Sequence, residues 1–155
     1  MVFLVSNVFM ILLGMQTSYC QDYLNYLSIS NRLVNFNLSS VSALENRQVQ
    51  TNAFDIKIKS SYSFSVYAII SNYYSSTGYV LASNMLSVKL NTVVPSRTAN
   101  FNDIPISGGN QLIIQGLRTG SQLYTYTFNM NVGPIGFDVP PGSFNATILF
   151  TMTRP

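Results

Sequence analysis

Histidine and tryptophan are absent from the 155 residues, cysteine occurs once, and only 8% of the chain is charged. Without histidine, three things drop out together: the usual general base near neutral pH, the commonest nitrogen ligand for metals, and any Ser-His-Asp arrangement. The carboxylates Asp22, Glu45, Asp55, Asp103 and Asp138 are scattered, without the spacing of a calcium loop. Single solvated carboxylates account for them more plainly than an acid/base pair. Serine and threonine are abundant, but nothing is present to activate them as nucleophiles. Ser107-Gly108-Gly109-Asn110 is glycine-rich, yet neither a lysine nor a helix start follows it, so a phosphate cradle does not fit. The net charge of +3 comes from lysines and arginines placed singly, with no basic cluster for nucleic acid. These absences point away from an enzyme and away from any metal, cofactor or nucleic-acid partner.

What the chain does have is 47% hydrophobic residues, ten tyrosines, ten phenylalanines and a polar remainder rich in Asn, Ser, Thr and Gln. That mixture suits half-buried pleated surfaces on a surface or extracellular protein. The length allows one domain that buries roughly two-thirds of its unfolded surface. Residues 1–20 read as an export signal. The dense apolar core Val8-Phe9-Met10-Ile11-Leu12-Leu13 is too short to span a bilayer. Ser18 and Cys20 occupy the positions three and one before a cut that would release Gln21 as the new N-terminus. Lipidation at Cys20 and an uncleaved anchor are the alternatives. Cleavage leaves a mature chain with no membrane span and no cysteine, so packing alone must stabilise it in an oxidising compartment.

Residues 21–40 form a first strand or an N-terminal extension. Leu27 and Ile29 alternate, and Val34, Phe36 and Leu38 alternate in the opposite phase, which predicts two extended pieces broken near Asn31-Arg32. The segment either packs on its own domain or leaves to pair with a neighbour. Residues 41–155 form the main domain. Ser39 to Thr51 is polar and reads as a loop. Phe54, Ile56 and Ile58 then alternate with Asp55, Lys57 and Lys59. Tyr62, Phe64, Val66 and Ala68 follow, with Asn72 to Gly78 as a polar turn. Leu86, Val88 and Leu90 form the next strand, and Ile104 and Ile106 a short edge piece interrupted by Pro105. Gln111 to Gln115 and Tyr124 to Val132 complete the pattern. Short strands separated by turn signals, with no stretch of helical period, predict an all-β protein. The expected architecture is a single antiparallel immunoglobulin-like β-sandwich.

The last strand is the most regular. After Pro140-Pro141-Gly142, the residues Phe144, Ala146, Ile148, Phe150 and Met152 fall on one face. Asn145, Thr147, Thr151 and Thr153 fall on the other, with Leu149 an apolar intruder. The strands Tyr124 to Val132 and Phe144 to Met152 carry no charge. Soluble monomers blunt open edges with lysine or proline, so these strands are either central or covered by a partner. Asn37-Leu38-Ser39 and Asn145-Ala146-Thr147 match the glycosylation sequon, a pattern that arises readily in so Asn- and Thr-rich a chain.

The tail from Gly142 to Thr153, with its lead-in Phe137-Asp138-Val139-Pro140-Pro141, resembles the end of two related bacterial families. These are the chaperone-usher fimbrial subunits and the spore coat U-like proteins. Both close on a glycine followed by an alternating strand rich in aromatics or threonine. A weaker similarity is to WxL-type surface domains, although Leu149-Phe150-Thr151 lacks their tryptophan. The fimbrial resemblance implies a secreted or cell-surface structural subunit whose sandwich lacks one strand. A periplasmic chaperone fills the gap first, and the N-terminal extension of another copy or a related subunit fills it later. Carried over, Phe144, Ala146, Ile148, Phe150 and Met152 line the subunit groove, and Tyr23, Leu27, Ile29 and Leu33 belong to the donor segment. Arg154 stands where fimbrial subunits commonly place an aromatic. The alternative function is a cell-surface adhesion or carbohydrate-binding module that uses exposed tyrosine and asparagine.

Overall fold

The computed structural model describes residues 25–30, 33–36, 40–76, 78, 80, 82, 85–136 and 144–154. In chain order the elements begin with β1 (Tyr26–Ile29), a short helix α1 (Val41–Glu45), β2 (Gln48–Lys59) and β3 (Phe64–Ser75). β4 (Leu86–Val94), β5 (Asp103–Pro105), β6 (Gln111–Gly116), β7 (Tyr124–Val132) and β8 (Phe144–Thr153) follow. They form two antiparallel sheets, one of five strands in the order β1-β2-β7-β4-β5 and one of three in the order β6-β3-β8. The chain is an all-β sandwich.

The period-two segments make the core as their patterns require. Ile56 and Ile58 of β2, Val66 and Ala68 of β3, Val88 of β4 and Phe128 of β7 are all completely buried, while Asp55, Lys57 and Lys59 alternate with them on the outer side. Phe54 stacks on Phe128 at 5.3 Å and meets Phe150 at 5.5 Å, so one aromatic cluster ties β2 and β7 to β8 across the sandwich. β7 lies between β2 and β4, so it has no open edge that charge would need to blunt. One side of the sandwich is closed where the chain passes from β5 to β6. There Ile106 is fully buried and its N–H donates to the Leu86 carbonyl (2.9 Å), while the Ser107 carbonyl accepts from Ile70 (2.8 Å).

Two segments differ from expectation. Ser39 to Thr51, expected as a loop, contains α1 and the start of β2. Ser40 caps the helix, its hydroxyl accepting from the Ala43 N–H at 3.1 Å, and Ala43 is buried. The Leu44 carbonyl accepts from Ile135 and Gly136, which ties the helix to the chain leaving β7. The polar start of β2 is a bulged region. Asn52 sits at φ 50°, its N–H donating to Asn129 Oδ1 and its Oδ1 accepting from Asn91. Side-chain amides on the outer face, invisible to a hydrophobic period, hold this stretch. The second difference is Asn72 to Gly78, expected as a turn. β3 continues through Tyr73 and Tyr74 to Ser75, paired with β8 as far as Phe144, and the Tyr73 and Phe144 rings stack at 6.5 Å. The break near Asn31-Arg32 lies outside the described residues. The two pieces that flank it, Leu27 with Ile29 and Val34 with Phe36, both pack against the core.

Two close-packed features yield direct tests. A Cβ at Gly116 would come within 2.6 Å of Phe64 Cζ, and Phe64 is 1% exposed. Gly116→Ala is expected to cost about 1–3 kcal/mol through forced overpacking, read as a lowered urea midpoint with an unchanged slope. Nearby, Arg97 lies 4.7 Å from the Tyr124 ring, donates to the Leu117 carbonyl at 3.1 Å and to the Tyr126 hydroxyl at 3.3 Å. Burial pushes the Tyr126 phenol above its ordinary 10.0, against the opposing pull of Arg97. The native phenol therefore holds its proton more tightly than the unfolded one. That contribution is complete below pH 10 and is lost as pH rises through the native value. Tyr126→Phe is expected to flatten the fall of stability above pH 10, measured by urea unfolding at stepped pH.

Candidate assembly edge

β8 is an outer strand. It pairs with β3 from Ser65↔Thr153 to Ser75↔Phe144, with one shift between Ile70 and Asn72, and no strand among the described residues pairs with its other edge. Its period-two face is turned inward as the sequence predicts. Ile148, Phe150 and Met152 pack on the core, but they remain half-buried, whereas the matching residues of β7 are buried. Phe144 is half-buried, and Ala146 keeps the phase of this face but is exposed. Beyond the shift, β3 and β8 run on as a ribbon with mostly exposed residues, so alternation there no longer means burial. Leu149, the intruder, is 52% exposed on the outer side.

The seam between the sheets differs on its two sides. The β5–β6 passage closes one. On the other, the outer strands are β1 and β8, and between their ends lies a pocket of about 150 Å³ lined by Asn25, Ser60, Phe64, Met152, Thr153 and Arg154. Arg154 lies 4.1 Å over the Tyr62 ring, a cation–π contact that holds the end of β8. Asn25 accepts from the Ser60 hydroxyl (3.1 Å) and fixes the entry to β1.

The residues expected as a donor segment are distributed unevenly. Leu27 pairs with Ile58 and Ile29 with Ile56 in the four-residue ladder of β1 on β2, both half-buried. Ser30 extends the attachment by donating its N–H to the Asp55 carbonyl and accepting the Asp55 N–H on its hydroxyl. These residues therefore complete the edge of their own sheet. Leu33 is 77% exposed. Tyr23, Cys20, Gln21 and the remainder of residues 1–24 lie outside the described residues.

The described carboxylates do not converge. Asp55 on β2 accepts from Thr127 at 2.8 Å. Asp103 on β5 accepts from Arg47 at 2.7 Å and from the buried Asn131 at 2.9 Å. Their strands are separated by β7 and β4, a span of roughly 14 Å at ~4.8 Å per strand. No group of three or more Cys, Asp or Glu side chains that would hold a metal occurs among the described residues, and no helix there is long and apolar enough to cross a membrane. The chain matches no model of a known protein family and no curated protein.

Sequence reasoning missed two site features. The pocket at the Asn25 end depends on long-range packing and leaves no local signal. The second is that β3, β6 and β8 contain no charged residue at all. That signal was present in the sequence, but it becomes meaningful only once those three strands are known to share a sheet.

Proposed function

We propose that the chain is a structural subunit of a secreted or cell-surface, fimbria-like or coat-like assembly, joined by β-strand addition along β8. The observation that carries this is an uncharged outer strand whose inward face, Ile148, Phe150 and Met152, is only half-buried. An incoming strand would pair the open backbone edge and cover those side chains. Removing on the order of 100 Å² of apolar surface from β8 alone is favourable by ~2.5 kcal/mol, before the incoming side chains are counted. The occupant is residues 21–33 of a second copy. Tyr23, Leu27, Ile29 and Leu33 share one face of an extended chain, and their own domain buries Leu27 and Ile29 partly and Leu33 hardly. Donation requires β1 to exchange its four-residue ladder for a longer one on the neighbour. A chaperone strand would occupy the same edge before assembly, as in the families the tail resembles. The carbohydrate-binding alternative has weaker support, because the exposed tyrosines among the described residues are dispersed: Tyr26 on β1, Tyr62 in the turn between β2 and β3, and Tyr74 near the far end of β3.

The test is a size distribution. The exported chain should form a ladder of open-ended multimers on sizing, and removal of residues 21–33 should abolish that ladder while the chain stays folded by circular dichroism. Open-ended multimers, larger than a closed dimer, that persist without those residues would sink the reading.

A further inference from the structure

Charge is divided unequally between the two sheets. Asp55, Lys57, Lys59, Lys89 and Asp103 all lie on the five-stranded sheet, while β3, β6 and β8 carry no Asp, Glu, Lys or Arg. On the outer face of this smaller sheet, the register sets Leu112, Tyr67 and Thr151 in one row and Ile69 beside Leu149 in the next. Leu112 is 41%, Leu149 52% and Tyr74 60% exposed, with Tyr67 and Ile69 half-buried between them. Among the residues of these three strands, those around the apolar stripe are neutral and polar, among them Gln115, Thr147 and Asn145.

We infer that this face is a lateral contact between two copies of the chain, packed sheet against sheet. The charge distribution selects the occupant. An anionic membrane, a nucleic acid or a charged protein surface finds no complementary charge here. The same face of a second copy is neutral and brings its own apolar stripe, so a two-fold contact is self-complementary. The opposite sheet is less suited to this, because Lys57, Lys59 and Lys89 outnumber Asp55 and the Arg47-paired Asp103 there, and two copies would meet with like charge in excess. Three strands at ~4.8 Å spacing and about ten residues of ~3.3 Å give a face of roughly 14 by 33 Å, or roughly 900 Å² over both partners. That is the low end of specific interfaces, so the contact is weak between isolated subunits. Repeated along joined subunits it becomes avid. The inference uses the face of β8 and not its edge, so it stands independently of strand addition.

The test is sedimentation equilibrium of the full chain and of Leu149→Lys, whose side chain points away from the core. Beside open-ended, strand-added species, the wild-type chain should show a closed dimer in equilibrium with monomer that persists at high salt, since no ion pair holds it. Leu149→Lys puts one charge from each copy into the contact and should weaken dimerisation by about tenfold or more, equivalent to at least ~1.4 kcal/mol, and should leave open-ended, strand-added species intact. Lys89→Ala on the opposite sheet should change nothing. A chain that shows no closed dimer at any concentration, or dimers indifferent to Leu149→Lys, overturns the inference. So does a dilute monomer in which Leu149 and Tyr74 are already shielded, because a segment of the same chain would then cover the face.

Discussion

Phe128→Ala is expected to remove a large part of the stability of the domain, whereas Phe150→Ala should be tolerated. Both rings touch Phe54, at 5.3 Å and 5.5 Å. Phe128 belongs to the central strand β7, is fully buried and stacks nearly parallel to Phe54 at 9°. Its removal opens a cavity that β2 and β4, paired on either side, cannot collapse to fill. Such truncations cost about 3–5 kcal/mol, a large part of the ~5–15 kcal/mol that stabilises an ordinary domain. Phe150 sits on an outer strand that pairs on one side with β3, and part of its ring already faces solvent. Less surface returns to water and the edge relaxes more easily, so the loss should be about 1–2 kcal/mol. Equilibrium urea unfolding followed by circular dichroism compares the two. Equal losses would show that the β8 face is packed as tightly as β7, which would remove the support for strand addition proposed there.

The same comparison shows what a sequence reveals and what it withholds. β2 was legible because Phe54, Ile56 and Ile58 alternate with Asp55, Lys57 and Lys59, and burial is decided by that local period. β8 was legible as a strand for the same reason. The sequence leaves open whether a charge-free strand is central or outer, since neighbours are chosen by pairings across many tens of residues. The structure resolves the question differently for the two such strands: β7 is central, β8 outer. Periodicity also failed where polar groups carry the structure. The start of β2 rests on the side-chain amides of Asn52, Asn91 and Asn129, and α1 on the Ser40 cap. Ala146 shows the limit from the other direction: it keeps the phase of Ile148 and Phe150 yet is exposed, because β3 and β8 outrun the opposing sheet there.

A synthetic peptide of residues 21–33 should bind the chain lacking those residues and protect β8 from hydrogen exchange in an alternating pattern. In an antiparallel ladder, successive residues direct their N–H groups to opposite neighbours. Between Asn145 and Thr153, every second amide is therefore committed to β3, while the others face the outer edge. The second set should exchange rapidly in the free chain and slow by about tenfold or more on capture, the factor that ~1.4 kcal/mol of strand binding produces. The amides of β7, paired on both sides, should change little and serve as the internal reference. Placing aspartate at Leu27 and Ile29 of the peptide should abolish the effect, since two carboxylates would then face Ile148 and Phe150 without a partner. Uniform protection across all elements would instead indicate global stabilisation by binding elsewhere. Protection confined to β2 would show the peptide merely returning to the place of β1, and the β8 edge would then have no claim as the joining surface.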